Sequence, residues 1–409
     1  MSETENQLIE TKFGKTAFGW KFIQSSEYCI KVTDGTHDSP KSQLTGKHLI
    51  TSKHIKGRDI DFDSAYLISK EDFDKINLRS KVDQWDVIVS MIGEYCGFAY
   101  VERNNKIDYA VKNVGLFKTG NKIKALWLYY FLNSKIGRHI LDTIKGGSSQ
   151  PYITLGYLRE MPILYPKQPK EAEEITSILS SLEDKIDLLH RQNKTLEALA
   201  EALFRQWFME EAKEDWETGK LDNVISVKGG TTPSTTNPDY WDGDIYWTSP
   251  RDLSDNPSIY LFTTSRKITA KGLAQIGSGL LPIGTVLLSS RAPIGYLAIT
   301  EIPLAINQGY IAIICDKVVS NYFIYLWCKA NMSEIENAGN GSVFQEISKS
   351  TFKHLDIIIP PTEKLKLFDE NVEPFFLKIK SNQTQIRTLT QLRDNLLPKL
   401  MSGEVRVNR

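Results

Sequence analysis

The stretch ITSILSSLEDKIDLLHRQNKTLEALAEALFRQW, residues 175–207, sets Ile175, Leu179, Leu182, Ile186, Leu189, Asn193, Leu196, Ala200, Leu203 and Trp207 at alternating spacings of four and three. Side chains so spaced fall on one stripe of an α-helix, which predicts a coiled-coil seam of more than four turns. A second stretch repeats the rhythm with Phe368, Val372, Phe375, Ile379, Asn382, Ile386, Leu389, Arg393, Leu396 and Leu400. Each seam holds one asparagine near its middle, a residue that weakens apolar packing and fixes register. Two long seams, each present once, predict a pair; two separate core helices are the alternative. Pro398 and Gly403 are expected to end the second helix.

Each predicted helix closes a similar half-chain. Laying 147–166 on 341–360 without gaps aligns Gly147-Ser148 with Gly341-Ser342, Ile153 with Ile347, Ile163 with Ile357 and Pro166 with Pro360, an offset of 194. Upstream, Asp86-Val-Ile-Val-Ser90 resembles Gly284-Thr-Val-Leu-Leu-Ser289, and Thr51-Ser52 resembles Thr248-Ser249. The shared order predicts a duplication. Within each half, strands are expected at 86–91, 98–102, 284–289, 296–300 and 310–314, rich in β-branched and aromatic residues and bounded by glycine. One short amphipathic helix follows (about 124–143 and 320–337), then a Gly-Ser loop and an apolar strand ending in proline (161–166 and 355–361). If the halves are related by a pseudo-twofold axis across the helix pair, the helices run antiparallel. A helix of about 40 residues spans roughly 60 Å, beside about 34 Å for one turn of B-DNA.

Composition narrows the function. With 409 residues, 41% hydrophobic, the chain is long enough for two or more cored domains. No run of about 18 apolar residues predicts a membrane span. The polar start MSETENQLIE lacks a signal-peptide pattern, so a cytoplasmic protein is expected. Cysteines at 29, 96, 315 and 328 form no C-x-x-C pair, and the six histidines show no zinc spacing, so no metal is expected. Net charge is zero, but residues 161–218 carry 7 basic against 13 acidic groups, and residues 1–160 carry 23 against 19. A global average therefore hides any local basic groove.

Catalytic motifs are missing. Asn237-Pro238-Asp239-Tyr240 resembles the amino-methyltransferase motif Asn/Asp-Pro-Pro-Tyr/Phe but lacks its second proline. No glycine-rich methyl-donor loop, P-loop, helicase box or nuclease cluster accompanies it.

GGTTPSTTNPDYWDGDIYWTS, 229–249, resembles the opening of a target-recognition domain in type I restriction-modification specificity subunits, with one extra threonine before Pro233. Val32-Thr-Asp-Gly-Thr-His-Asp-Ser-Pro40, followed by Leu49-Ile-Thr-Ser-Lys-His54, is a diverged counterpart. Leu199-Ala-Glu-Ala-Leu-Phe-Arg-Gln-Trp-Phe208 is similar to the family's central helix, and Leu396-Leu-Pro-Lys-Leu-Met-Ser-Gly-Glu-Val405 to its carboxy-terminal close. The resemblance covers nearly the whole chain. It implies an α+β protein of two similar α/β target-recognition domains, separated by two long helices that form an antiparallel coiled coil. The expected divisions are 1–166, 167–215 (first spacer helix), 216–361 and 362–409 (second spacer helix and tail). It also implies a non-catalytic subunit that reads a split, asymmetric sequence in double-stranded DNA. Two methyltransferase subunits and two restriction (motor-nuclease) subunits are the implied partners. S-adenosylmethionine would be bound by the methyltransferase and not by this chain. A coiled-coil adaptor without DNA specificity and a stand-alone methyltransferase or nuclease are the alternatives; a methyl-donor binding assay separates the last from the first.

Candidate DNA contacts follow from residue chemistry. Glycine lets a backbone approach phosphate, and hydroxyls donate to it. These features mark Gly35, Thr36 and His37 in the first half and Gly230, Thr231, Thr232 and Ser234 in the second. Lys41, Lys53, His54 and Lys56 form a basic run suited to phosphate, with a solvated loop as the rival reading. Arg291 suits guanine, and Asn113, Asn307 and Gln308 suit adenine edges, against a salt bridge and turn amides respectively. Ser148, Gln150 and Tyr152, with Ser342, Phe344 and Gln345, lie in the loop before the last strand of each half. Partner docking is expected on the helix flanks at Leu188, Leu199, Phe204, Phe208, Phe376, Leu377 and Leu397, because apolar side chains outside a two-helix seam call for a second buried face.

Overall fold

The computed structural model describes residues 7–147, 149–254, 258–341 and 345–407. It divides into two compact units, Met1–Lys185 with Leu389–Arg409, and Ile186–Thr388. The divisions fall inside the two long helices, Pro169–Arg205 and Thr362–Ser402. Each unit thus joins one globular head to a part of both helices.

The first head is built on an antiparallel sheet ordered Lys31–Asp34, Val114–Lys118, Asp86–Ser90, Ala99–Val101. Asp86–Ser90 is buried along its whole length, as an apolar, β-branched central strand should be. Beside it lies a second sheet in which Lys47–Thr51 runs parallel to Tyr109–Lys112. Lys21–Gln24 pairs with Pro162–Tyr165, which leads into the first long helix.

The second head repeats this plan. Its main sheet is ordered Ser226–Gly229, Tyr310–Ile314, Val286–Ser290, Ile294–Thr300, Tyr260–Leu261. Trp241–Thr248 runs parallel to Leu304–Ile306, and Glu217–Lys220 pairs with Asp356–Ile359 before the second long helix. The duplication read from spaced motifs is therefore a duplication of topology.

Four details differ from the sequence expectation. The helix foreseen at 124–143 is two, Lys122–Asn133 and Lys135–Ile144. Ser134 breaks it, because its hydroxyl accepts from the Gly137 N–H at 3.1 Å and caps the second helix. The first piece is buried from Ala125 to Leu132 on all faces rather than amphipathic. Likewise 320–337 is Asn321–Ala330 and Met332–Asn337. The second long helix passes through Pro398 and stops only at Ser402, where Gly403 takes φ +73°.

The long helices run antiparallel within each unit. In the first, Glu183 meets Arg393, and Glu171 meets Arg406. In the second, Asn193 meets Asn382, and Phe204 meets Phe368. Ile175, Leu179, Ile186, Leu189 and Ala200 are buried on one helix, and Phe368, Val372, Ile379 and Leu400 on the other. Unit one's core gathers Trp127, Tyr130 and Phe131 with Ile175, Leu179, Leu400 and Met401. Unit two's core is aromatic: Phe208 lies 4.8 Å from Phe368 and 5.0 Å from Phe323, edge to face.

Three expected docking residues are thereby reassigned. Phe204, Phe208 and Phe376 are 2%, 7% and 0% exposed, inside unit two. They fall outside the helix seam because the head, not a partner, covers them. Leu397 is half-buried against unit one's core. Leu188, Leu199 and Leu377 remain exposed.

Candidate nucleic-acid interface

The candidate loops of both heads are built alike, 195 positions apart. After Lys31–Asp34, Gly35 and Thr36 cross the end of the parallel pair, and the Thr36 N–H donates to the Val111 carbonyl at 3.0 Å. After Ser226–Gly229, Gly230 and Thr231 do the same, with the Thr231 N–H donating to the Ile306 carbonyl at 3.1 Å. A Cβ at Gly35 would stand 2.6 Å from the Val111 oxygen, and one at Gly230 1.8 Å from the Ile306 oxygen. Only glycine lets the chain pass that close. Gly35 and Thr36 are buried, so their part is to shape this crossing rather than to present a side chain.

The next residue of each loop reaches a turn from another part of the head. His37 Nδ1 lies 3.0 Å from Asn113 Oδ1, and the Thr232 hydroxyl donates to Gln308 Oε1 at 2.7 Å. Asn113 adopts φ +54° to bring this about. His37 Nε2 also lies 3.0 Å from Asp34 Oδ2, and Asp34 is gripped by Arg79. His37 and Gln308 are exposed, Asn113 and Thr232 half-buried. Asn307 is a turn amide, its Oδ1 accepting from the Gly309 N–H at 2.9 Å. Thr231 and Ser234 are exposed, and Ser234 Oγ lies 2.9 Å from Thr236 Oγ1.

A third loop closes at the same end of the main sheet. Gly146 and Tyr152 exchange backbone hydrogen bonds at 2.8 and 2.9 Å, and Asn340 and Glu346 do so at 3.0 Å. Tyr152 bridges to Ile92, and Glu346 to Arg291. Arg291 therefore stands where the first head has Ile92, and its guanidinium Nη1 is 3.4 Å from Glu346 Oε2. Gln150, Tyr152 and Gln345 are exposed. Ser148, Ser342 and Phe344 lie outside the described residues.

Ser52, which residue chemistry alone did not single out, ties the first head's loops together. Its hydroxyl donates to the Asn113 carbonyl at 2.5 Å and accepts from the Met91 and Ile92 N–H groups at 3.0 and 3.2 Å. The available signal was the recurrence of Thr51-Ser52 as Thr248-Ser249. In the second head the Tyr310 hydroxyl donates to the Ser249 carbonyl at 2.8 Å, and the Asn307 N–H to the Thr248 carbonyl at 3.0 Å.

The basic run divides. Lys41, Lys53 and Lys56 are exposed, with Lys56 3.8 Å above the Tyr95 ring. His54 corrects the expectation: it is fully buried, and its Nδ1 accepts from the Thr51 N–H at 2.9 Å. Burial, then the neighbouring Lys53 charge, lowers its pKa. Its role is to hold the turn that displays the lysines. Among the described residues, no group of three His, Cys, Asp or Glu side chains is placed to hold a metal, and no helix is long and apolar enough to cross a membrane.

These paired loops, on duplicated heads joined to a helix pair, have counterparts among known proteins. The family model for the type I restriction modification DNA specificity domain matches residues 44–198 and 213–391, and the chain belongs to that family. The MjaIX specificity subunit of a type I restriction enzyme from Methanocaldococcus jannaschii is 40% identical over 182 residues, 42% of this chain and 42% of the relative. The putative MjaX specificity subunit of the same organism is 25% identical over an alignment of 433 positions, covering 98% of this chain and 97% of the relative. The solved S subunit of a type I restriction-modification system from M. genitalium shares the fold, with TM-score 0.60 at 14% identity over 93% of this chain and 96% of that one. The relatives are named as specificity subunits, a non-catalytic role.

Proposed function

We propose that this chain is the DNA-specificity subunit of a cytoplasmic type I restriction-modification complex. Each head reads one half of a split, asymmetric sequence in double-stranded DNA. The exposed helix flanks dock two methyltransferase subunits, and through them two restriction subunits. The chain carries no cofactor of its own; S-adenosylmethionine belongs to the methyltransferase.

The observation that carries this reading is the matched pair of cross-loop hydrogen bonds, His37 with Asn113 and Thr232 with Gln308. The loop scaffold recurs in both heads while the side chains it presents differ. A pair of modules that read two different half-sites needs that combination: a rigid common frame and variable polar tips.

The test is an exchange of residues 219–359 for the same region of a relative, followed by mapping of methylated adenines in the host genome. One half of the methylated motif changes and the other stays. A change in both halves at once removes the two-module reading.

A further inference from the structure

Unit two holds a cleft of about 1160 Å³ between its head and its part of the two long helices. Five basic side chains line it: His190 and Lys194 from the first helix, Arg387 from the second, and Arg251 and Arg266 from the head. Two carboxylates also line it, and both are already engaged. Glu197 accepts from the Tyr325 hydroxyl at 3.0 Å and the Lys329 ammonium at 2.5 Å. Asp252 accepts from the Thr248 hydroxyl and the Ser249 and Ser265 N–H groups at 2.9–3.0 Å. None of the five basic groups forms an ion pair among the described residues.

Two of the guanidiniums are fixed by rings instead of acids. Arg266 lies 3.5 Å from the centre of the Trp241 ring, and Arg387 4.9 Å from that of Phe262. Stacking holds the guanidinium plane by its face and leaves the N–H edges free, which is the arrangement that takes a phosphate bidentately. The cleft wall also continues into the candidate interface: Trp247 Nε1 donates to the Thr231 carbonyl at 3.4 Å.

We infer that this cleft binds the phosphate backbone of one DNA strand, beside the bases that the second head reads. The inference rests on the proposed function. The lining runs from His190 to Glu197 and from Ile379 to Arg387. At 1.5 Å per residue that is about 10–12 Å, or about three phosphates at 3.4 Å along the duplex axis.

The probe is a 30-base-pair duplex, titrated with the full chain by fluorescence anisotropy across a salt series. The variants are Arg251→Gln, Arg387→Gln, the double, and the corresponding Arg→Lys pair. Each Gln variant is expected to reduce the slope of log affinity against log salt by about 0.9, and the double by about twice that. Lysine keeps the charge, so the Lys variants retain the slope. Unchanged slopes in the Gln variants, with a reduced slope in Lys53→Ala, overturn the cleft and leave the proposed function standing. Loss of slope in the Lys variants equal to that in the Gln variants also overturns a charge contact. No duplex binding by the unmodified chain removes both the cleft and the proposed function.

Discussion

Asn382 Nδ2 donates to Asn193 Oδ1 at 2.8 Å, joining the lone asparagines of the two helix seams to each other. Asn382 is fully buried, and its own Oδ1 has no partner. Sliding either helix by a heptad would set each amide against an apolar seam residue. An unsatisfied buried amide costs about 1–3 kcal/mol, so the pair selects one register at some cost in packing.

Leucine at Asn382 alone strands Asn193 and should destabilise the chain by about 1–3 kcal/mol. Leucine at both positions should recover most of that, since an apolar pair suits the seam. Urea unfolding of the four members of the double-mutant cycle measures the coupling; a single variant as stable as the parent would falsify the register role.

Glu183 is the buried acid of unit one. Arg58, Arg103 and Arg393 approach it at 3.6, 3.7 and 3.9 Å, and the Tyr130 hydroxyl donates to it at 3.0 Å. Burial raises its carboxyl above the usual range, against the opposing pull of the arginines and the tyrosine. Alanine there removes the acid that three arginines share, while Arg103 keeps Asp184 at 2.6 Å and Arg393 keeps Asp394 at 2.7 Å. Because the arginines keep some contact with water, the expected loss is near the lower end of about 3–5 kcal/mol. Glu183→Gln keeps an acceptor for Tyr130 and should lose less. Equal losses in the two variants would point to packing rather than charge.

His54 gives the fold a pH dependence of known sign. Its folded pKa is depressed by burial, so the folded state refuses a proton that the unfolded chain accepts. Stability from this residue is present above the ordinary histidine value of about 6.5 and declines as pH falls from there toward the depressed folded value. Asparagine at 54 keeps an acceptor for the Thr51 N–H and does not titrate. Thermal melts at pH 7.5 and 5.5 should therefore show a smaller acid-induced drop in His54→Asn than in the parent. An identical drop places the acid sensitivity elsewhere.

Phosphate and base contacts should separate by salt and by sequence. Alanine at Lys53 should weaken binding to all duplexes alike and lower the salt slope by about 0.9. Alanine at Arg291 should instead relax one base position, by about 1–3 kcal/mol. Glu346 is its ion-pair partner in this structure, so the guanidinium must exchange that carboxylate for a base. Methylation mapping of the Arg291 variant decides: an unchanged motif assigns the arginine to the Glu346 pair alone.

The helix flanks divide between core and docking. Alanine at Phe208 should cost about 3–5 kcal/mol, because it removes a ring packed against Phe323 and Phe368. Serine at Leu199 and Leu377, which are 48% and 50% exposed, should leave unfolding within about 0.5 kcal/mol of the parent. The same substitutions should reduce co-purification of co-expressed methyltransferase subunits. Full co-purification in the double variant would place the docking face elsewhere.

The helix seams, the duplication and the strands at Asp86–Ser90, Ala99–Val101, Val286–Ser290, Ile294–Thr300 and Tyr310–Ile314 were legible in the amino-acid order, because each is a matter of spacing along one chain; Lys31–Asp34 and Val114–Lys118, which complete the first sheet, were not among the strands expected. Heptads follow from helix pitch, and the repeats from matched positions. The Gly35 and Gly230 loops were also legible as counterparts of one another. Their pairing with Asn113 and Gln308 was not, since those contacts bridge 76 positions.

By itself, then, the sequence determined two α/β heads, two long amphipathic helices and the class of segment that each loop belongs to. Only the tertiary structure decided which side chains those segments could offer. A heptad stripe states which face meets the other helix, but not what covers the flanks. Phe204, Phe208 and Phe376 therefore read as free until the second head was seen to bury them. A basic run states charge, but not direction. His54 is turned inward, where its Nδ1 accepts from the Thr51 N–H, while Lys53 and Lys56 face solvent. Burial is set by what arrives from distant parts of the chain, and no local spacing encodes it.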